Sequence, residues 1–86
     1  MKSKRKVNTT SLHRVPTEYG EVLLNEKTGA YWNLNESASR IVAVLENGGA
    51  VEDAVKDLVD TYGIDKNQAR HDIEAVEASL QKLGAL

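Results

Sequence analysis

The two histidines are the first candidates for chemistry, because imidazole serves both as an acid–base catalyst and as a metal ligand. His13 falls on a predicted strand, and His71 falls on a predicted helix directly before Asp72. A metal site needs three convergent donors at a recognisable spacing, and these residues do not provide it. The chain also contains no cysteine that could serve as a thiolate ligand or nucleophile. We therefore interpret both histidines as solvated or packed side chains and predict no metal and no cofactor.

Glycines and carboxylates give no stronger sign of catalysis. The glycines of "TGA", "NGG" and "YGI" stand at predicted turns and helix ends and form neither a GxGxxG motif nor a phosphate-binding loop. The carboxylates fall on the polar faces of predicted helices, where a solvated surface is the ordinary role. We predict that the protein is not an enzyme.

Composition predicts one small soluble domain. The chain has 86 residues, of which 41% are hydrophobic and 28% are charged, as in ordinary globular proteins. It has no 18-residue apolar run and no apolar core of a signal peptide. Together with the lack of cysteine, this favours a cytoplasmic protein without a membrane partner.

Charge divides the chain into a basic start and an acidic body. Four of the 11 basic residues lie in "MKSKRK", and the rest of the chain holds 7 basic and 13 acidic side chains, hence a net charge of −6. We predict a flexible basic tail over residues 1–8 and a single domain over residues 9–86. The acidic body argues against a phosphate-binding surface.

The first part of the chain is rich in strand signals. "TTSLHRV", residues 9–15, predicts a first strand that ends at Pro16. "EVLLN" and "AYWNL" then predict a hairpin across "EKTG", with Gly29 in a positive φ conformation.

The apolar residues of the hairpin favour one pairing. A three-residue loop over 27–29 would place Leu24 opposite Trp32 and Val22 opposite Leu34, whereas a four-residue loop would pair Leu23 with Trp32. The three-residue loop gathers the apolar side chains on one face and leaves Leu23, Tyr31 and Asn33 on the other, so we predict that loop. The face it gathers holds Val22, Leu24, Ala30, Trp32 and Leu34.

Three helices are predicted after the hairpin. Asn35 caps the first, which ends at "NGG" over 47–49; the second covers about 51–62 and stops at Gly63; Asp65 caps the third, which ends at Gly84. Their predicted core stripes are Ala38, Ile41, Val42 and Leu45, then Ala54, Val55, Leu58, Val59 and Tyr62, then Ala69, Ile73, Val76, Leu80 and Leu83.

The second strand of the hairpin raises a functional hypothesis. A helix begins directly after it, so in a meander this strand forms an edge of the sheet. The edge lacks the lysine, proline or bulge that commonly protects such strands, and it can therefore accept an extended peptide as an added strand. The predicted binding residues are Ala30, Tyr31, Trp32, Asn33 and Leu34 on the strand and Ala69, Asp72, Ile73, Val76 and Leu80 on the third helix. Trp32, Ile73 and Val76 also suit the core, and both roles can hold in part.

A DNA-binding module is the alternative from another functional class. The second helix, "YGID" and the third helix could form a helix-turn-helix. The exposed positions of the third helix are mixed or net acidic, so binding driven by counterion release would be weak.

The order of these motifs resembles the PqqD-like proteins, the class called RiPP recognition elements. The resemblance covers about residues 12–86 and rests on "VLLN", on "GAYWNLN" followed at once by a helix, and on "DIEAVEASLQKLG". It is strongest to the stand-alone proteins of lasso-peptide biosynthesis. "NGGAVED" departs from the pattern, since no Ser or Thr caps the second helix.

The resemblance implies an α+β fold, a three-stranded antiparallel sheet followed by three helices in a winged-helix-like arrangement, without catalytic activity. It implies that the leader segment of a ribosomally made precursor binds as an added strand against residues 30–34, beside a wall that includes Asp72, Ile73 and Val76. In lasso-type members the leader commonly supplies a tyrosine and a proline to hydrophobic pockets. It then passes to a separate papain- or transglutaminase-like protease and a cyclase.

Two further questions stay open at the sequence level. The resemblance also admits a PqqD proper, which serves a radical enzyme in quinone-cofactor synthesis. A small domain with an open edge can be a monomer or a dimer with swapped elements, so the oligomeric state is open as well.

Overall fold

The computed structural model describes residues 12–84. The predicted basic tail and the first residues of the predicted first strand, 9–11, lie outside this range. The elements are β1 Leu12–Thr17, β2 Gly20–Asn25, β3 Tyr31–Leu34, α1 Glu36–Glu46, α2 Val51–Tyr62 and α3 Lys66–Leu83.

The strands form one antiparallel sheet in the order β1-β2-β3, and the three helices follow in sequence. This confirms the predicted α+β fold. The sheet packs its inner face against the helices, and Leu23, Leu34 and the buried stripes of the helices form one hydrophobic core.

The prediction that Pro16 ends the first strand is wrong, because β1 continues through Pro16 to Thr17. Pro16 lies opposite Glu21, whereas the flanking pair Thr17 and Gly20 closes the tight β1–β2 turn. Backbone groups alternate between the two sides of an antiparallel strand, so the position that lacks an N–H lies on the side away from β2. Proline is tolerated there because no ladder bond is lost.

The predicted register of the hairpin is also wrong. Leu23 lies opposite Trp32 and Glu21 opposite Leu34, across the four-residue loop 26–29. Leu23 is fully buried, whereas Val22 and Leu24 lie on the outer face and are half-buried. Ala30, Trp32 and Leu34 face the helices as predicted, and Tyr31 and Asn33 lie on the outer face as predicted.

Asn25 explains this register, because its side chain forms hydrogen bonds on the helix-facing side of the sheet, which an apolar pattern does not reveal. Its Nδ2 donates to the carbonyl of Leu83 at 2.8 Å, and its Oδ1 accepts from the N–H of Lys27 at 3.0 Å. The side chain therefore joins the loop to the end of α3 and must face inward, which brings Leu23 inward with it. Gly29 closes the loop with a φ of 78°, as predicted.

The helix ends follow the predicted caps. Asn35 Oδ1 accepts from the N–H of Ala38, and Asp65 Oδ1 accepts from the N–H of Gln68, both at 2.8 Å. At the start of α2, Asp53 Oδ2 accepts from the N–H of Ala50 at 2.8 Å. Although no Ser or Thr caps α2, this bond satisfies one backbone donor at the start of the helix.

The predicted core stripes are confirmed for α1 and α3, whose named apolar residues are all buried. In α2, Ala54, Val55 and Leu58 are buried, but Val59 is half-buried and Tyr62 is exposed. Among the described residues, no helix is long and apolar enough to cross a membrane.

Candidate functional site

The outer edge of β3 is the first feature of the candidate site. Within residues 12–84 this strand pairs only with β2. The N–H of Asn25 donates to the carbonyl of Ala30 at 2.8 Å, which makes this pair hydrogen-bonded. Hydrogen-bonded pairs alternate along an antiparallel ladder, so Trp32 and Leu34 also direct their backbone groups to β2. Tyr31 and Asn33 therefore direct their N–H and C=O groups to the open edge.

A pocket of about 200 Å³ lies beside this edge, where β3, α1 and α3 meet. Its apolar walls come from Trp32, Ile41 and Val76, and Asp72 and Ser79 add polar groups. Every second side chain of a strand added to β3 would point toward this pocket, because side chains alternate across a sheet.

Two further pockets extend the first in both directions. One, of about 220 Å³, shares Trp32 and Ser79 with the first pocket and reaches Lys82 at the end of α3. The other, of about 370 Å³, shares Asp72 with the first and reaches Tyr62. We call the three together the β3–α3 groove. Since α3 rises 1.5 Å per residue, the groove follows the helix for about 15 Å from Asp72 to Lys82, the span of four or five extended residues.

The groove brings together only some of the residues predicted from the sequence. Ala30, Tyr31, Trp32, Asp72 and Val76 line it. Asn33 lies on the exposed outer face of β3, and its contribution to the edge comes from its backbone.

The other predicted residues lie beneath the surface. Ala69, Ile73 and Leu80 are at most 1% exposed, and Leu34 is 4% exposed, so they support the groove from the core. The apolar stripe of α3 therefore marks mainly its core face, although Val76 and Leu83 of that stripe also reach the groove. The rest of the helical wall comes from the adjacent row.

That adjacent row contains Ala75, Ser79 and Lys82, which the sequence prediction missed. Together with Asp72 they follow one another at spacings of three and four residues, so they lie on one side of the helix. Extending the row from Asp72 would have identified them.

Polar groups at the Asp72 end of the groove form hydrogen bonds with neighbouring side chains. Asp72 Oδ1 accepts from the side-chain amide of Gln68 at 2.9 Å. Partial desolvation of the Tyr62 hydroxyl and a hydrogen bond to Glu36 raise the pKa of Tyr62 above its ordinary value. The groove thus offers apolar walls with a few hydrogen-bonding groups, a composition typical of ligand sites.

The histidines lie apart from the groove. His13 is on the outer face of the sheet, with its Nε2 3.1 Å from Glu26 Oε1, and His71 is exposed on α3. Among residues 12–84, no three His, Asp or Glu side chains come together as a possible metal site.

Comparison with known proteins places this geometry in a family. The profile described as "Coenzyme PQQ synthesis protein D (PqqD)" matches residues 20–86. The chain belongs to the PqqD family. The match begins at the first residue of β2 and includes every element that lines the groove. No curated protein sequence matches this PqqD-family chain significantly.

Two solved structures are similar to this PqqD-family protein. "Lasso peptide synthetase B1 complexed with the leader peptide" shares 34% identity, with a TM-score of 0.79 over 88% of this chain and 89% of that one. "TbiB1 in Complex with the TbiA(beta) Leader Peptide" shares 26% identity, with a TM-score of 0.82 over 95% of this chain and 94% of that one. Both similarities extend over at least 88% of each chain.

Proposed function

We propose that this protein recognises the leader segment of a ribosomally made precursor peptide, and that the leader belongs to a lasso peptide. The single observation that carries the proposal is the edge of β3, which within residues 12–84 has no further strand paired to it and lies directly beside an apolar groove. Both similar structures are complexes with leader peptides, which supports the same class of ligand here.

The backbone of β3 supplies the first part of the binding energy. Tyr31 and Asn33 each offer one N–H and one C=O to an added strand. Each hydrogen bond contributes a net of about 0.5–1.5 kcal/mol, so backbone pairing alone falls short of the roughly 8 kcal/mol needed for micromolar binding. The leader must therefore also bury side chains.

The groove supplies the second part. A fully buried Leu, Val or Phe side chain contributes about 1.5–3 kcal/mol, and the groove is long enough for two inward side chains of a strand. We propose that residues 30–34, Asp72, Ala75, Val76 and Ser79 contact the leader, and that Ala69, Ile73 and Leu80 support this surface from below. A hydrophobic and a ring-containing leader residue, such as the tyrosine and proline of lasso leaders, would suit these pockets.

The two alternatives receive less support. A PqqD proper for quinone-cofactor synthesis shares the family, but both similar structures are complexes with leader peptides, and one of them is a lasso peptide synthetase B1. DNA binding through α3 is disfavoured because Arg70 is engaged with Glu52 by two hydrogen bonds of 2.8 and 3.1 Å. A cation held by a carboxylate on the same surface contributes little to phosphate binding.

The proposed role is non-catalytic. The protein would hold the precursor and present it to a separate papain- or transglutaminase-like leader protease, and then to a cyclase. Binding of the leader raises the local concentration of the precursor near these enzymes.

Titration with a synthetic leader peptide tests the proposal. The leader sequence is to be taken from a short precursor reading frame sought beside the gene, and a scrambled peptide of the same composition is the control. Because Trp32 is the only tryptophan and lines the groove, we expect its emission to shift to the blue for the leader and to stay unchanged for the scrambled peptide. Calorimetry on the same samples measures affinity and stoichiometry. Equal heats for the two peptides would refute the proposal.

A further inference from the structure

The sheet has a second edge, on β1, and it differs from β3 in two ways. The first is Pro16. The residue pairs between β1 and β2 alternate between hydrogen-bonded and non-hydrogen-bonded pairs. The tight turn makes Thr17 and Gly20 a hydrogen-bonded pair. Leu12, Arg14 and Pro16 are thus the positions whose backbone groups point away from β2. Pro16 has no N–H, so one of the three outward-facing positions of β1 lacks its donor.

The second difference is Arg14, which lies on the inner face of β1 opposite Leu23. Its guanidinium donates to Glu46 Oε1 at 2.9 Å, to Glu21 Oε1 at 2.7 Å and to the carbonyl of Ser39 at 3.3 Å. These bonds join β1 to α1 and fill the space beside this edge. On the β3 side, the corresponding space is the open groove.

We propose that Pro16 and the Arg14 ion pairs close the β1 edge, so that strand addition is directed to β3 and a second copy of this chain is kept from pairing along β1. Two identical β1 strands would meet antiparallel about a two-fold axis near Arg14, which pairs position 12 of one copy with position 16 of the other. Proline leaves the Leu12 carbonyl of each copy without its donor. This inference goes beyond leader recognition, since it concerns the opposite edge and holds whatever β3 binds.

The Pro16→Thr variant of the full chain tests the role of the missing donor. Threonine restores the N–H and favours strand conformation. We expect the association constant of its dimer, measured by sedimentation over a range of concentrations, to be at least about tenfold higher than that of wild type. The reason is that each copy gains one backbone hydrogen bond. Val15→Thr is the matched control, since the backbone of Val15 already faces Val22 of β2, and we expect it to match wild type.

Amide hydrogen exchange locates the new contact. In the Pro16→Thr dimer, the amides of Leu12 and Arg14 should become protected as concentration rises, whereas those of Tyr31 and Asn33 should not. Protection at Tyr31 and Asn33 instead would mean that association uses β3, and it would overturn the proposal.

A second variant, Pro16→Thr with Arg14→Leu, tests the ion pairs. We expect it to dimerise more tightly than Pro16→Thr alone, because the space beside β1 is then open to apolar packing. If neither variant dimerises more than wild type, the closure of the β1 edge is refuted. If Arg14→Leu alone dimerises as tightly as the double variant, the role of Pro16 is refuted. Leader titration of the wild type and of Pro16→Thr is an independent measurement. If neither protein bound the leader, the proposed function would fail, but the proposal about the β1 edge would be unaffected.

Discussion

Leu23 lies directly opposite Trp32 across the β2–β3 ladder, and both side chains lie on the helix-facing side of the sheet. Leu23 is fully buried in the core, whereas Trp32 is half-buried and lines two pockets of the groove. The pair fixes which residues of β3 face inward. It therefore also fixes which backbone groups, those of Tyr31 and Asn33, face the open edge.

Asn33→Pro is expected to weaken leader binding about tenfold or more while the domain stays folded. The change removes an N–H that points to the open edge, and a leader carbonyl is left without its donor. The ladder with β2 loses nothing, and Trp32 before the proline already has the strand conformation that proline favours. Calorimetry with the leader peptide measures the effect, and circular dichroism verifies folding.

Asn33→Thr is the control, because it changes the same exposed side chain but keeps the N–H. We expect this variant to bind like wild type. If Asn33→Pro and Asn33→Thr bound the leader equally, backbone addition at this edge would be excluded.

Ala75→Arg is expected to weaken leader binding at least about tenfold, equivalent to about 1.4 kcal/mol. Ala75 is exposed and lines the central pocket, so a long side chain there would occupy the space of the leader. Gln81→Arg is the matched control, because Gln81 is exposed on the same helix and lines none of the three pockets. Arginine is a good helix former, so both variants should keep the helix. Equal affinities of the two variants would remove α3 from the binding site.

Local signals in the sequence were sufficient to predict the elements. Asn35 and Asp65 start helices because their side chains satisfy exposed N–H groups, and Gly63 ends one in a left-handed conformation. These interactions involve residues only a few positions apart, so they are visible in the sequence. The edge position of β3 was predictable for the same reason, since a helix follows it at once.

Long-range contacts explain what the sequence did not reveal. The register depends on the bond between Asn25 and Leu83, which are 58 positions apart, and an apolar pattern gives no sign of it. Similarly, the sequence prediction places Ile73 on the groove wall, but Ile73 is 1% exposed and lies in the core. Ala75 and Ser79, at the border between core and solvent, form the wall instead.

Asn25→Ala is expected to lower the free energy of unfolding by about 1–3 kcal/mol. The variant leaves the buried carbonyl of Leu83 without its partner and removes the bond that holds the loop at Lys27. Thermal unfolding should show this as a decrease of Tm by several degrees. Asn47→Ala is the control, since Asn47 Nδ2 also donates to a helix carbonyl, that of Ala43, but in an exposed place. We expect the control to lose no more than about 0.5 kcal/mol, and an equal loss in both variants would contradict the structural role of Asn25.

Acid is expected to weaken the fold partly through Glu21. The hydrogen bond from Arg14, followed by one from Ser39, holds the pKa of the Glu21 carboxyl below its ordinary value of 4.5. At a given acidic pH the unfolded chain therefore binds more protons at this group than the folded chain. The stabilisation is fully present above about pH 4.5 and is lost as the pH falls through the lower folded pKa.

The Glu21→Gln variant isolates this contribution. Because the pair with Arg14 is partly solvated, we expect the variant to lose only about 0.5–1 kcal/mol at pH 7. Its free energy of unfolding, measured in urea between pH 7 and pH 3, should fall less steeply than that of wild type. Glu18→Gln at the exposed β1–β2 turn should follow the wild-type curve. Parallel curves for Glu21→Gln and wild type would show that Glu21 does not carry the acid sensitivity, since the depressed pKa must appear as a difference between them.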